Sequence, residues 1–296
     1  MKNKPFILWY DKITMKDVPA VGGKNASLGE MIKYLRPKGV NIPYGFATTS
    51  EAYHYFIKET GLENLIGETL KNINTKDIKD LARRGKTIRD AFLTKEIPED
   101  LKKEIVVAYR KLGKHLKENN PSVAVRSSAT AEDAPTASFA GQMETYLNVR
   151  GEEELLKAVL LSMQSLFTDR AIFYREQMKF DHLKIALSSG VQQMVRSDLA
   201  SAGVMFSIDT ETGFPDVILI NASWGLGENV VKGRITPDQY YVFETTLEKG
   251  FKPIVGKVLG KKESKLVYGS GKEATKEVAT SIADREKFVL TDEEIL

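Results

Sequence analysis

The sequence predicts an α+β fold in two parts, and three observations carry that prediction. Helical apolar periodicity dominates from about residue 20 to 177, and short β-type runs separated by turn residues take over from Lys184. Between them, two strand patterns flank a long hydroxyl-rich segment, Arg126 to Thr145. A helix-rich part followed by a strand-rich part favours α+β over a repeating βαβ arrangement. At 296 residues and 42% hydrophobic content, the chain has enough apolar material for one large or two medium domains. The expected division is a first lobe over 1–196, with a helical elaboration at about 60–118 and a loop at 126–145, and a β-rich second lobe over 197–296.

Taken in order, residues 6–10 (FILWY) read as a strand, and Asp11 begins a turn. Leu28, Met31, Ile32 and Leu35 form the apolar stripe of a helix whose start carries Gly22, Gly23 and Lys24. Helix starts attract anions through unpaired N–H groups and the macrodipole, and Lys24 adds a cation there. The pattern is not a phosphate-binding P-loop, which requires glycine at the position of Val18 and Ser or Thr at that of Asn25. Residues 39–49 read as a strand with a turn, and Ser50 is expected to cap a short helix. Ile78, Leu81, Gly85, Ile88 and Phe92 make a second helical stripe, and Pro98 opens a third through Leu101, Ile105, Ala108, Leu112 and Leu116.

Val123–Val125 then reads as a short buried strand and Thr145–Val149 as another, with RSSATAEDAPTASFAGQMET spanning from Arg126 to Thr145. Small side chains let a main chain come close to phosphate oxygens, and Arg126 offers a planar, permanently charged fork. Unstructured loops longer than about 12–15 residues are uncommon unless they serve a function. Glu152–Phe167 is a helix with three acids in its first turn and a wide apolar face. Asp209-Thr-Glu211 and Gly225-Leu-Gly227 read as turn chemistry, not as a metal pair or a dinucleotide fingerprint. Phe288–Leu290 looks like a strand. Thr291-Asp-Glu-Glu294 is a capping box whose helix has no body, which predicts an incomplete polypeptide.

Composition excludes several classes of function. The formal net charge is +3 with the two signs interspersed, so no basic stripe marks a nucleic-acid partner. With no cysteine, disulfides and thiolate metal sites are ruled out, and a reducing, cytoplasmic setting is expected. The apolar run near the N-terminus is too short for a membrane span or signal peptide, so no membrane partner is expected. His54, His115 and His182 lack neighbours at ligand spacing and are expected to be structural or surface residues.

The segments VGGKNASLGEM, NIPYGFATTSEAY, VAVRSSATAEDAPTASFAGQMETYLNV, VQQMV, AGVMFSID and INASWGLGENVVKGRITPDQY resemble the N-terminal ATP-grasp domain of the phosphoenolpyruvate synthases. This is also called the pyruvate phosphate dikinase nucleotide-binding domain. The likeness runs from about residue 8 to 245, and its fold would be two-lobed with nucleotide bound between lobes. Pyruvate phosphate dikinase itself carries Ser-Met-Pro-Gly where this chain has Ala-Pro-Thr-Ala, whereas rifampin-type antibiotic phosphotransferases share the loop and remain an alternative. A non-catalytic nucleotide-binding module is a third reading.

The resemblance implies ATP and Mg²⁺ as cofactors, with Lys24 and Arg126 as cationic, catalytic contacts to the phosphates. By the same likeness Gly141 and Thr145 touch nucleotide, Gln192 lies beside the adenine, and Met194 and Val195 edge it through their backbones. The enzyme implied is a pyruvate, water dikinase, converting ATP, pyruvate and water to AMP, phosphoenolpyruvate and phosphate. Its phosphohistidine and pyruvate-binding domains would be the partners of this part, which is expected to be inactive alone. The family's metal-binding Asp-x-Glu and its Gln-x-Arg pair follow a helix that here only starts. Asp292-Glu-Glu294 matches the first only in spelling, so no metal ligand is assigned.

Overall fold

Seven residues of one strand, Val123–Ala129, pair with seven of another, Leu187–Gln193, and this ladder is the spine of the first part of the molecule. The computed structural model describes residues 5–130, 144–269 and 273–296, and the backbone of 133–134 and 137–138. Two compact units emerge, one ending at Met194 and the other running Val195–Leu296.

The first unit contains β1 (Ile7–Trp9), α1 (Val18–Tyr34), β2 (Gly45–Thr48), α2 (Ser50–Glu59), α3 (Leu62–Leu70), α4 (Ile78–Leu93) and α5 (Glu99–Leu116). It continues with β3 (Val123–Ala129), the two-residue pair β4 (Asp133–Ala134) and β5 (Ala137–Ser138), and β6 (Thr145–Val149). α6 (Glu152–Gln164), α7 (Asp169–Gln177) and β7 (Leu187–Gln193) complete it. The main sheet runs β1-β2-β7-β3-β6, antiparallel throughout.

Side chains alternate across this sheet, so each strand contributes to two layers. Phe46, Val123, Val125, Ala129, Leu187 and Val191 point into the larger core, built with the apolar faces of α2 to α7. Ala47 on the opposite face joins Tyr10, Ile13, Val21, Ala26 and Ile32 in a smaller core under α1. Most of the stripes expected on α4 and α5 are buried here, Leu81, Ile88 and Phe92, and Leu101, Ile105 and Leu112, while Ile78 is exposed at the start of α4 and Leu116 is half-buried.

The second unit has a four-stranded antiparallel sheet in the order β11 (Ile254–Val258), β10 (Asp238–Phe243), β9 (Val217–Trp224), β8 (Ser201–Phe206). A hairpin of β12 (Ser264–Tyr268) and β13 (Thr275–Ala279) and the short helices α8 (Glu228–Val231), α9 (Glu244–Leu247), α10 (Ile282–Arg285) and α11 (Asp292–Ile295) accompany it. Its core gathers Ala222, Tyr240, Val242, Val289 and Ile295. No helix among the described residues is long and apolar enough to cross a membrane.

Four local expectations change. The cap of α2 is Thr49, whose side chain accepts from the Ala52 N–H, because Ser50 has already entered the helix. The strand expected to stop at Val125 runs on to Ala129, so Arg126, Ser127 and Ser128 are sheet residues. The strand ending at Gln193 pairs inside the first sheet, so the β-rich character from Lys184 does not begin the second unit. Phe288–Leu290 forms no strand: the Val289 N–H donates to the Asp238 carboxylate at 2.8 Å and the Leu290 N–H to the Tyr240 hydroxyl at 3.1 Å. The capping box at Thr291 is present as read, with reciprocal bonds to Glu294.

Candidate functional site

β3 is buried at every position except Arg126. A long cationic side chain in the middle of a central strand needs an opening, and the alternation of the sheet shows where it lies. Arg126 pairs with Gly190, and directly opposed residues of an antiparallel ladder point to the same face. Gly190 faces α1: a Cβ built on it meets the Asn25 carboxamide oxygen at 2.3 Å and the Tyr10 hydroxyl at 2.6 Å. Arg126 therefore stands on the α1 face with Ser128, Ser188, Gly190 and Gln192. Its charge reaches Tyr10. Burial raises the Tyr10 phenol far above its ordinary range, and the guanidinium of Arg126 acts in the opposite direction.

Gln192 lies beside Arg126, as register requires for residues two apart on one face. One guanidinium nitrogen donates to the Gln192 Oε1 at 3.4 Å, while the Gln192 Nε2 donates to the Pro43 carbonyl at 3.1 Å. Gln192 thus holds the fork from below, a role beyond the base contact expected for it. Thr145 pairs with Arg126 from the other side and is exposed on the same face. Gly141 lies outside the described residues. Past the end of β7, the Met194 N–H is engaged by the Ser122 carbonyl at 3.0 Å, and the Val195 carbonyl accepts from Ser197 at 2.8 Å.

α1 is broken just before Lys24. Gly22 has φ 72° and ψ 164°, a conformation closed to side-chain-bearing residues, and a new helical segment starts after it. A Cβ on Gly22 would also lie 2.7 Å from the Ser128 carbonyl oxygen and 2.8 Å from that of Ala129. Glycine therefore lets the kink press directly onto the end of β3, and exposed Lys24 sits in the first turn beyond it. The N–H groups of such a first turn have no partners within their helix and carry the positive end of its dipole. The face that carries the Arg126 guanidinium thus lies against a helix start whose first turn includes Lys24, features suited to a polyanion.

Beneath these cations is a buried polar layer that sequence reading missed. Asn25, 2% exposed, donates through Nδ2 to the Ser188 hydroxyl at 2.9 Å and to the Val21 carbonyl at 3.1 Å. Its Oδ1 accepts from the Tyr10 hydroxyl at 3.2 Å, and its backbone N–H approaches the Ser128 hydroxyl at 3.5 Å. The available signal was an asparagine on the packed side of a helix, a residue type seldom buried unless it is hydrogen-bonded.

Two grooves of about 270 and 290 Å³ meet at Trp9 and Lys111, beside α5, and share no residue with this cluster. Among the described residues no group of three His, Cys, Asp or Glu stands together as a metal site. Asp209 accepts from Glu211 and Thr212 within a turn, Asp292 pairs with Lys257 at 2.6 Å, and Glu294 is used in its cap.

Residues 18–296 match the family model described as pyruvate phosphate dikinase, AMP/ATP-binding domain. The chain belongs to that family. Within it, the chain is 52% identical over 295 residues to the phosphoenolpyruvate synthase of Aquifex aeolicus (strain VF5), covering 100% of this chain and 34% of that protein. To the phosphoenolpyruvate synthase of Synechocystis sp. (strain ATCC 27184 / PCC 6803 / Kazusa) it is 51% identical over 300 residues, covering 100% of this chain and 37% of the relative. The Escherichia coli (strain K12) phosphoenolpyruvate synthase is 47% identical over 296 residues, with 99% and 37% covered. The chain thus spans little more than a third of the length of these relatives.

Proposed function

We propose that this chain is the ATP-binding part of a phosphoenolpyruvate synthase, with an ATP-grasp fold. ATP would give a phosphoryl group to a histidine on another domain and, through it, to pyruvate, leaving AMP and phosphate. The observation that carries this reading is Arg126: the one exposed position of a central strand, on the face against which the Gly22 kink of α1 packs. Membership in an AMP/ATP-binding family and the names of the relatives supply the substrate class.

In this reading Arg126 and Lys24 bind and orient the triphosphate, and Gln192 fixes the guanidinium. Thr145, Gly141, Met194 and Val195 contribute the remaining contacts. Phosphoryl transfer depends mainly on positioning and charge neutralisation, so two fixed cations are the chemistry required of such a lobe. Mg²⁺ supplies charge neutralisation when it arrives with the nucleotide. The described residues assemble no carboxylate cluster to hold it, so no step is assigned to it.

Calorimetric titration of the chain with Mg·ATP tests the reading. Saturable binding is expected, weakened by about ten- to a hundredfold in Arg126→Ala, the loss of a charge-assisted hydrogen bond. An Arg126→Ala variant that binds ATP as tightly as the parent chain rules out the assigned role.

A further inference from the structure

The Gly22 kink falls within the turn that a continuous helix would close between residues 21 and 25. In an unbroken α1 the N–H of residue 25 would donate to the carbonyl of residue 21. Here the backbone N–H of Asn25 approaches the Ser128 hydroxyl at 3.5 Å, and the Asn25 side chain donates to the Val21 carbonyl at 3.1 Å. The second Nδ2 proton goes to Ser188 on β7, and Oδ1 is closed by Tyr10. One buried carboxamide thereby ties both sides of the break to the sheet that carries Arg126. Each partner is itself wholly inaccessible: Tyr10, Ser128 and Ser188 are all 0% exposed.

We infer that Asn25 is the positioning residue of the site: it sets the height and direction of the helix start bearing Lys24 relative to Arg126, without touching the ligand. This rests on the nucleotide-binding reading and deepens it. Three features support it. The Val21 carbonyl accepts from the Asn25 side chain at 3.1 Å, so removing Asn25 takes a donor away from a buried acceptor. Gly190 is the only kind of residue that leaves room for the carboxamide, since any Cβ there overlaps Oδ1. And the next residue before Asn25 is Lys24, so a shift of the turn moves the ammonium directly.

The test compares Asn25→Ala, Tyr10→Phe, Ser188→Ala and a control, Tyr109→Phe, with the parent chain. Tyr109 is equally buried in the same unit, where its hydroxyl donates to Pro121 and accepts from Gly151, away from α1. ATP affinity and displacement by inorganic tripolyphosphate are measured by calorimetry, and amide exchange is followed at Gly23, Lys24 and Ala26. Expected for Asn25→Ala is a loss of at least about tenfold for both ligands, with faster exchange at those three amides. Tyr10→Phe and Ser188→Ala should shift affinity in the same direction by a few fold, and Tyr109→Phe should leave it unchanged. Asn25→Ala binding within twofold of the parent overturns the inference, as does an equal loss in Tyr109→Phe. If Asn25→Ala does not fold, unchanged affinity in both Tyr10→Phe and Ser188→Ala overturns it. A parent chain that binds no ATP defeats the proposed function instead, and with it this inference.

Discussion

Lys262 and Asp238 are both fully inaccessible and form an ion pair in the second unit. The carboxylate also accepts from Gly260 at 2.7 Å, from Val289 at 2.8 Å and from the Tyr240 hydroxyl at 3.2 Å, while the ammonium donates to the Gly260 carbonyl at 3.0 Å. A buried pair with its remaining valences filled costs little to keep, but removing one partner strands the other charge. Lys262→Met is expected to destabilise the chain by about 3–5 kcal/mol, measured by urea unfolding. The double change Asp238→Asn with Lys262→Met should recover part of that loss. In the first unit, Arg175 is buried against Phe167 and donates through Nε to His182 Nδ1 at 3.0 Å. That nitrogen must be unprotonated, so the ring proton sits on Nε2, 2.7 Å from Glu176. Burial and then the Arg175 charge hold His182 below its ordinary 6.5, against the pull of Glu176 and Asp181. Below about pH 6.5 the unfolded chain therefore binds the proton more readily than the folded one. The stabilisation is complete above that pH and is lost as pH falls through the lower folded value. Unfolding free energies at pH 7.5 and 5.5 should differ more in the parent chain than in His182→Gln, and equal pH slopes would contradict this.

At the scale of elements, the kinked helix and the strand beneath it form the site. Sequence periodicity found the helix, but the helix starts earlier, at Val18, and is broken within, at Gly22. Gly22→Ala imposes an unfavourable backbone on a residue whose Cβ also overlaps two carbonyl oxygens of β3. An expected loss of about 1–3 kcal/mol from backbone strain alone should appear in urea unfolding, together with weaker ATP binding. A neutral Gly22→Ala would mean the kink relaxes. β3 was read as ending at Val125 because Arg-Ser-Ser has low strand propensity and resembles a loop. Pairing with β7 on one side and β6 on the other overrides that preference. Likewise, Phe288–Leu290 has a strand composition but joins no sheet, and the N–H groups of Val289 and Leu290 donate to Asp238 and Tyr240.

For the whole molecule, the family and the coverage of its relatives set the expectation. The chain alone is expected to bind ATP without forming AMP when pyruvate is added. Joined to the remaining segments of a relative such as the Aquifex aeolicus protein, it should form AMP in a pyruvate-dependent way, followed by a coupled AMP assay. AMP formation by the chain alone would contradict the division of labour proposed. Among the described residues the units share no apolar cluster: two lie in the first and one in the second, and the largest of them joins residues as far apart as Phe46 and Val191.

The α+β character, most helices and the family were legible in the sequence, because they depend on short-range spacing and on the chemical character of individual residues. Tertiary packing decided that Arg126 stands mid-strand, that Gln192 braces it, and that Asn25, Tyr10, Ser128 and Ser188 lie beneath. Those roles come from hydrogen bonds spanning as many as 163 positions of sequence, and from a glycine kink whose purpose is visible only against the strand it touches. A buried polar residue shows its function only when its partners do, and nothing local names them.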